Sequence, residues 1–189
     1  MNYKELHSEY NIKQTSEINT VSKRKNKGGD ICKLNYDVIY DRYLEPYRNK
    51  NVKLLEIGIF MGDSLFIHSK FLVNSKLYGI DINLNFIKEK YKDTDFLKDL
   101  VLFENSSTNK KFSNKIKEKF DIIIDDWDHH PNAMINNFIN FYNKLNKNGI
   151  YLIEDVKIRR YEPVKNFLNS NNIKFIYERT VKSGIIIIY

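Results

Sequence analysis

A chain of 189 residues that is 42% hydrophobic and 14% aromatic can build one core but not two comfortable ones, and it lies far from the composition of disordered chains. The formal net charge of +7 admits an anionic partner, but the lysines are scattered among asparagines, as in Asn109-Lys-Lys, and no basic helix face interleaved with aromatics argues for a nucleic-acid platform. No apolar run is long enough to span a bilayer, the start Met1-Asn-Tyr-Lys-Glu-Leu lacks the apolar core of a secretory signal, and one cysteine, Cys32, permits neither an internal disulfide nor a cysteine-based zinc site, so a cytoplasmic protein is expected.

Residues from Met1 to about Asn26 are polar, with a basic knot at Lys23-Arg-Lys, and read as a mobile arm or a loosely attached helix. Lys27-Gly-Gly-Asp30 is a turn signal. Tyr36, Ile39, Tyr40, Tyr43 and Leu44 then recur at helical spacing, and Pro46 closes the helix. Such a helix either lies over the ligand edge of a sheet as a lid or simply packs. Residues 1–50 are accordingly expected to form an arm and a lid-like helix, and residues 51–189 one globular domain.

From Val52 onward strands and helices alternate. Lys53-Leu-Leu-Glu-Ile-Gly58, Lys76-Leu-Tyr-Gly-Ile-Asp81, Leu100-Val-Leu-Phe103, the run from Asp121, and Ile150-Tyr-Leu-Ile153 read as five strands. Helices are expected over Asp63–Val73, Leu84–Tyr91, Asn109–Lys119, Asn132–Leu145 and Tyr161–Asn169, with Asn148-Gly149 as a break before the fifth strand. Lys174-Phe-Ile-Tyr177 and Gly184-Ile-Ile-Ile-Ile-Tyr189 follow without a helix between them, so the last strand is expected to be antiparallel. Alternation of this kind predicts a mostly parallel sheet covered on both faces.

The most informative stretch is Asp121-Ile-Ile-Ile-Asp-Asp-Trp-Asp-His-His130. A short β-branched run suits a strand buried on both faces. Its end carries three carboxylates and two imidazoles within six residues, which packing gives no reason to place together. In an open α/β sheet, ligands bind beyond the carboxyl ends of the strands. Glu154-Asp155 ends the neighbouring fifth strand, so Asp125, Asp126, Glu154 and Asp155 should converge on one crevice. A cation would relieve their repulsion, and oxygen-only donors favour Mg²⁺. Successive strand residues point to opposite faces, which limits each acidic pair to one ligand unless the backbone turns.

Glu56-Ile-Gly58-Ile-Phe-Met-Gly62 is a strand running into a glycine turn and a helix. A dinucleotide fingerprint would require glycine where Phe60 stands, so the spacing excludes it. The pattern acidic-x-Gly-x-x-x-Gly resembles instead the first motif of class I S-adenosylmethionine-dependent methyltransferases. That resemblance implies an α/β, Rossmann-like doubly wound, mostly parallel seven-stranded sheet with a final antiparallel strand. It also implies a cofactor site made by Glu56, Gly58, Gly62 and Asp81, with Asn105, Ser106 and Asp125. Asp81 stands where an acidic residue bridges the ribose hydroxyls, and Asn105 replaces the acidic residue expected near adenine. Taken alone, Gly58 and Gly62 also suit a tight turn, Asp81 a helix cap, and Glu104-Asn-Ser-Ser107 a polar turn.

Asp125-Asp-Trp-Asp-His-His130 and Gly149-Ile-Tyr-Leu-Ile-Glu-Asp155 together resemble motifs of a metal-dependent sugar O-methyltransferase family, as do Lys27-Gly-Gly, Tyr36, Tyr40 and Tyr47-Arg-Asn-Lys. The family includes macrolide deoxysugar methyltransferases and glycan or capsule cluster proteins. The resemblance implies Asp126, Glu154 and Asp155 as magnesium ligands and His129 as general base, with Asp126 also in the catalytic set. The chain departs from the pattern at Trp127 and Asp128, which add bulk and negative charge. The expected reaction is methyl transfer from S-adenosylmethionine to a hydroxyl of a sugar-containing acceptor, on a glycan precursor or glycosylated metabolite. An anionic acceptor would find Lys157-Ile-Arg-Arg160 nearby, unless that run only faces solvent. Three alternatives stay open: a metal-independent small-molecule methyltransferase, a magnesium-dependent phosphodiesterase, and a silent cofactor-binding subunit. His129 and His130 could also merely cap the next helix. Oligomeric state is not decided, and a homo-oligomer stays open.

Overall fold

The computed structural model describes residues 1–10, 36–180 and 182–189. Lys23-Arg-Lys, the turn at Lys27-Gly-Gly-Asp30 and Cys32 lie outside the described residues. Seven strands form one sheet: β1 (Val52–Ile57), β2 (Ser75–Asp81), β3 (Leu100–Glu104), β4 (Phe120–Asp125), β5 (Leu145–Ile153), β6 (Phe175–Arg179) and β7 (Gly184–Ile188). Their order is β3-β2-β1-β4-β5-β7-β6. The first five run parallel, while β7 is antiparallel to both β5 and β6. This is the mostly parallel sheet with a final antiparallel strand that the alternating pattern predicts.

The strands read as unbroken apolar runs because both faces are covered. Leu54, Ile122, Ile124, Leu152 and Ile187 face a layer formed by α1 (Tyr3–Glu9), α2 (Tyr36–Leu44), α3 (Asp63–Phe71) and α4 (Asn85–Lys90). Their chain neighbours Leu55, Ile123, Ile153 and Ile186 pack on the other side with α6 (Pro131–Phe141) and α7 (Ile158–Ser170). The two-residue period of a strand divides one apolar run between two cores in this way.

Three differences from the sequence reading have physical causes. The helix expected over Asn109–Lys119 shrinks to α5 (Lys110–Ser113), capped by the Asn109 side chain, which accepts from the N–H groups of Lys111 and Phe112. Lys115, Lys117 and Lys119 give the remainder little apolar surface to bury, and a short helix needs packing to persist. Asn148-Gly149 does not interrupt the chain between elements but sits inside β5, where the ladder to β4 shifts register and Asn148 adopts φ 65°. Finally, the polar start folds inward. Asn2 and Glu5 form a reciprocal capping box, and Tyr3 (0% exposed) and Leu6 (2%) are buried. The Tyr3 N–H donates to Asp41 Oδ1 at 2.9 Å, and its ring lies 4.3 Å from that of Phe71. Two apolar side chains are enough to seat this helix, although its overall composition resembles an arm.

No described helix is long and apolar enough to cross a membrane.

If α1 is core rather than arm, Leu6→Ala should cost about 2–5 kcal/mol in urea unfolding, the usual range for a buried leucine. A change within about 0.5 kcal/mol, as at a surface position, would show that α1 is dispensable.

Candidate functional site

The carboxyl ends of β1, β2, β4 and β5 lie side by side, so the loops leaving them share one crevice. These loops are stitched together through the backbone. Asp126 N–H donates to Ile57 O and Glu154 N–H to Asp125 O, each at 2.9 Å, while Gly58 N–H donates to Ile80 O at 2.8 Å. Gly58 has φ 89°, and a β-carbon there would sit 2.6 Å from the Asp126 carbonyl oxygen. At Gly62 (φ 79°) a β-carbon would strike the Ile87 side chain. The two glycines thus let the first loop press against the fourth loop and against α4, a closure that any side chain would block.

Asp81, at the end of β2, accepts from Phe60 N–H at 2.8 Å through Oδ2 and from Asn83 N–H at 3.1 Å through Oδ1. Each carboxylate oxygen keeps a further lone-pair site. The first contact holds the glycine turn, in which Phe60 itself has φ 45°. Past β3, Asn105 N–H donates to Asp81 O, Asn109 donates to Asn105 Oδ1 at 3.3 Å, and the hydroxyls of Ser106 and Thr108 are 2.9 Å apart. Asn105 and Ser106 therefore stand beside Asp81 at the same sheet edge.

Glu56 is buried inside β1, and the Ser64 hydroxyl donates to its Oε1. Burial, reinforced by the charges of Asp81 and Asp63 and opposed by the Ser64 bond, pushes its carboxyl up to about 8. His68 lies 4.0 Å from Glu56 Oε2 through Nε2 and bonds the Tyr3 hydroxyl at 2.8 Å through Nδ1. Burial, and then the nearby His7, lower His68 to about 3. At neutral pH the two groups are both uncharged, so their approach is not an ion pair. Asp125, 2% exposed, receives Asn137 Nδ2 at 2.9 Å, and burial raises it to about 7 against the opposing bonds from Asn137 and Trp127 N–H. Its carboxylate is tied to α6 beneath the loop.

Asp126, His129 and Asp155 come together: one ligand atom from each lies within 4.8 Å of the others. His129 Nδ1 is 3.7 Å from Asp126 Oδ1, and Nε2 is 3.6 Å from Asp155 Oδ2. Both His129 (φ 57°) and Asp155 (φ 51°) occupy the left-handed region, so the backbone does turn after β4 and β5, freeing these side chains from strict strand alternation. Glu154 is not a member of that three-residue group; it is 7% exposed next to Asp155. His130 is exposed at the N-cap of α6 without a side-chain cap bond, and Asp128 is exposed.

Tyr36 escaped the sequence reading as a site residue. Its hydroxyl donates to Asp155 Oδ1 at 2.9 Å across 119 positions of sequence. Its place on an apolar helical stripe signals core packing, its place among the residues that carry the family resemblance assigns it no role, and no local pattern announces so distant a partner.

This strand order with loops converging at the carboxyl edge is the Rossmann-like fold of S-adenosylmethionine-dependent methyltransferases. Among solved structures, the chain superposes on the MycE methyltransferase from the mycinamycin biosynthetic pathway in complex with Mg, SAH and mycinamycin VI. The TM-score is 0.71 and the identity 18%, over 100% of this chain and 54% of that one. A putative methyltransferase from Streptococcus mutans in complex with SAH superposes with a TM-score of 0.62 and 12% identity, over 80% of this chain and 95% of that one. In sequence the chain is 28% identical over 129 residues to the mycinamicin VI 2''-O-methyltransferase of Micromonospora griseorubida, covering 62% of this chain and 30% of that protein. It is 30% identical over 124 residues to the demethylmacrocin O-methyltransferase of Streptomyces fradiae, again over 62% of this chain and 30% of that protein. The chain's sequence relatives are thus sugar O-methyltransferases, and it spans about a third of the length of those curated relatives. No family model matches the chain.

The three buried groups set a pH profile for the free protein. Glu56 and Asp125 are raised in the fold, so their contributions are complete below about 4 and are lost as pH rises, through about 7 for Asp125 and about 8 for Glu56. His68 is depressed, so its contribution is present above its ordinary value of 6.5 and is lost as pH falls toward 3. Between pH 7 and 8 Asp125 finishes its titration and Glu56 supplies most of the remaining slope, at most about 1.4 kcal/mol per pH unit from that one group. Thermal melts without cofactor should therefore show the wild type losing stability over this unit, and Glu56→Gln, which keeps an acceptor for Ser64, losing less. Parallel profiles would place the ionisation of Glu56 elsewhere.

Proposed function

We infer that the protein is an S-adenosylmethionine-dependent O-methyltransferase that uses Mg²⁺ and acts on a hydroxyl of a sugar-containing small molecule. The observation that carries this reading is the meeting of Asp126, His129 and Asp155 at the carboxyl edge of the sheet, where β4 lies one strand from the glycine turn and two from Asp81. Similarity to sugar O-methyltransferases supports the reaction class. Glycan or capsule precursors and glycosylated metabolites are both acceptors that this reading allows.

The residues suit the two groups that the reading requires. Two carboxylates that approach one imidazole offer hard oxygen donors on one side, leaving room for water or substrate oxygens, as Mg²⁺ prefers. Asp126 and Asp155 would hold the ion, and Glu154 would add a third carboxylate from the position beside Asp155. Bound Mg²⁺ would act as a Lewis acid toward an acceptor hydroxyl. Asp81 offers two oxygens at the end of β2 for the ribose hydroxyls, with Gly58, Gly62 and Glu56 shaping the neighbouring turn, and Asn105 and Ser106 lie beside it for the adenine. Asp125 supports this wall from below through Asn137.

Methyl transfer from a sulfonium requires an oxygen nucleophile in line with the sulfur to methyl bond, so alignment supplies much of the rate. His129 takes the proton of that hydroxyl as general base, and its place between Asp126 and Asp155 orients the ring. Trp127, partly buried against the α6 side of the core, walls the crevice next to the base. The exposed residues Lys157 and Arg159 follow directly after the acidic pair and favour an acceptor carrying negative charge.

Calorimetric titration should detect S-adenosylmethionine binding, and absence of binding would refute the reading as a whole. His129→Ala should keep cofactor affinity while lowering kcat by about 10²–10⁴, the usual contribution of a general base. Turnover that survives both EDTA and Asp126→Ala would remove the metal from the mechanism. Because Asp126 and Asp155 converge with His129 and Glu154 stands outside that group, Glu154→Gln should weaken Mg²⁺ binding less than Asp126→Asn or Asp155→Asn; the reverse ranking would make Glu154 the principal ligand.

A further inference from the structure

Asp155 is held by a residue from the other end of the chain. Tyr36, on α2, is 1% exposed, and its phenol makes a two-way contact with this single residue. The hydroxyl donates to Asp155 Oδ1 at 2.9 Å, and the Asp155 backbone N–H donates to the same phenol oxygen at 3.1 Å. One side of Asp155 is thereby occupied. The other oxygen, Oδ2, faces His129 Nε2 at 3.6 Å.

The backbone at this point needs such a clamp. Asp155 has φ 51°, a conformation that a residue with a β-carbon keeps only when its surroundings impose it. On the far side Lys157 N–H donates to the Asp155 carbonyl at 2.9 Å, so the peptide units on both sides of Asp155 are fixed. A carboxylate on an exposed turn would otherwise rotate about two side-chain bonds and present either oxygen. With the phenol in place, one rotamer is selected before any ion arrives, and a site prepared in this way loses less entropy on binding.

We propose that Tyr36 is a positioning residue of the metal site, presetting Asp155 so that Oδ2 alone is presented toward His129 and Asp126. The inference rests on the reading of Asp126 and Asp155 as ligands of Mg²⁺. It gives α2 a function in the chemistry: the helix carries the group that orients a ligand, in addition to packing on the sheet.

The test is calorimetric titration of Mg²⁺ into the full chain as wild type, Tyr36→Phe and Tyr40→Phe. Tyr40 lies one helical turn along α2, and its buried hydroxyl has no hydrogen-bond partner among the described residues, so its variant removes the same atom from the same helix without touching Asp155. Tyr36→Phe should weaken Mg²⁺ binding by about 10–100-fold, the effect usual for residues that orient a metal ligand, and Tyr40→Phe should leave it unchanged. Tyr36→Phe should also lower kcat at fixed Mg²⁺, with partial recovery at high Mg²⁺ and no change in KM for S-adenosylmethionine. Wild-type affinity in Tyr36→Phe, with its fold verified by melting in EDTA, overturns the proposal alone. A wild type that binds no Mg²⁺ overturns the metal reading and the proposal with it. Should Tyr36→Phe not fold, Tyr36→Met, which also lacks the hydroxyl, takes its place with the same expected loss of Mg²⁺ affinity, and wild-type affinity in it overturns the proposal.

Discussion

The structure depends on the contact between the loops that leave β1 and β4. Gly58 lies so close to the Asp126 backbone that a β-carbon would stand 2.6 Å from its carbonyl oxygen, and Asp126 N–H is bonded to Ile57 O. Everything at the carboxyl edge takes its position from that join. The glycine turn is held to Asp81 through Phe60 N–H, the acidic loop after β4 to the one after β5 through Glu154 N–H, and Asp155 to α2 through Tyr36. A chain of backbone bonds of this kind transmits the register of the sheet into the loops. The loops leaving four separate strands are thereby joined at one edge of the sheet.

Burial sorts the acidic residues by role. Glu56 and Asp125 lie within the layers, and removing them from water raises their carboxyls toward neutrality. Each keeps one bond that partly offsets the cost, from Ser64 and Asn137 respectively. Asp126 and Asp155 are partly exposed at the edge, where water can reach them and a cation can approach. The same side-chain chemistry therefore serves two purposes on adjacent residues, Asp125 bracing the loop and Asp126 facing the crevice. Strand alternation divides the pair, and the turn after β4 sets how far apart the two halves point.

Much of this was legible in the chain. The alternating apolar runs predict the parallel sheet, because a strand covered on both faces has no polar side to display. The final two strands without an intervening helix predict the antiparallel β7. The clustering of acids at Asp125-Asp126 and Glu154-Asp155 predicts that all four converge, since adjacent parallel strands end on the same edge; Asp126 and Asp155 do meet, while Asp125 is tied to Asn137 and Glu154 stands outside the group. The short helix at α5 was overestimated because lysine-rich spacing imitates amphipathicity without supplying apolar area. Of the arm or loosely attached helix expected at the start, residues 3–9 form the helix, and it is firmly seated because two buried side chains, Tyr3 and Leu6, carry it in a polar stretch.

By itself the sequence determined the layer architecture, the strand in which each acidic residue lies, and the resemblance to metal-dependent sugar O-methyltransferases. Periodicity and residue type carry that information locally, within a turn of helix or a few strand positions. Only the tertiary structure decided which polar groups meet: Asp126 with His129 and Asp155, Asp125 with Asn137, Glu56 beside His68, and Tyr36 with Asp155. Those pairings depend on loop closure at Gly58 and on left-handed backbone at His129 and Asp155. Distances between residues more than a hundred positions apart are set by how the whole sheet packs, and local pattern does not encode them.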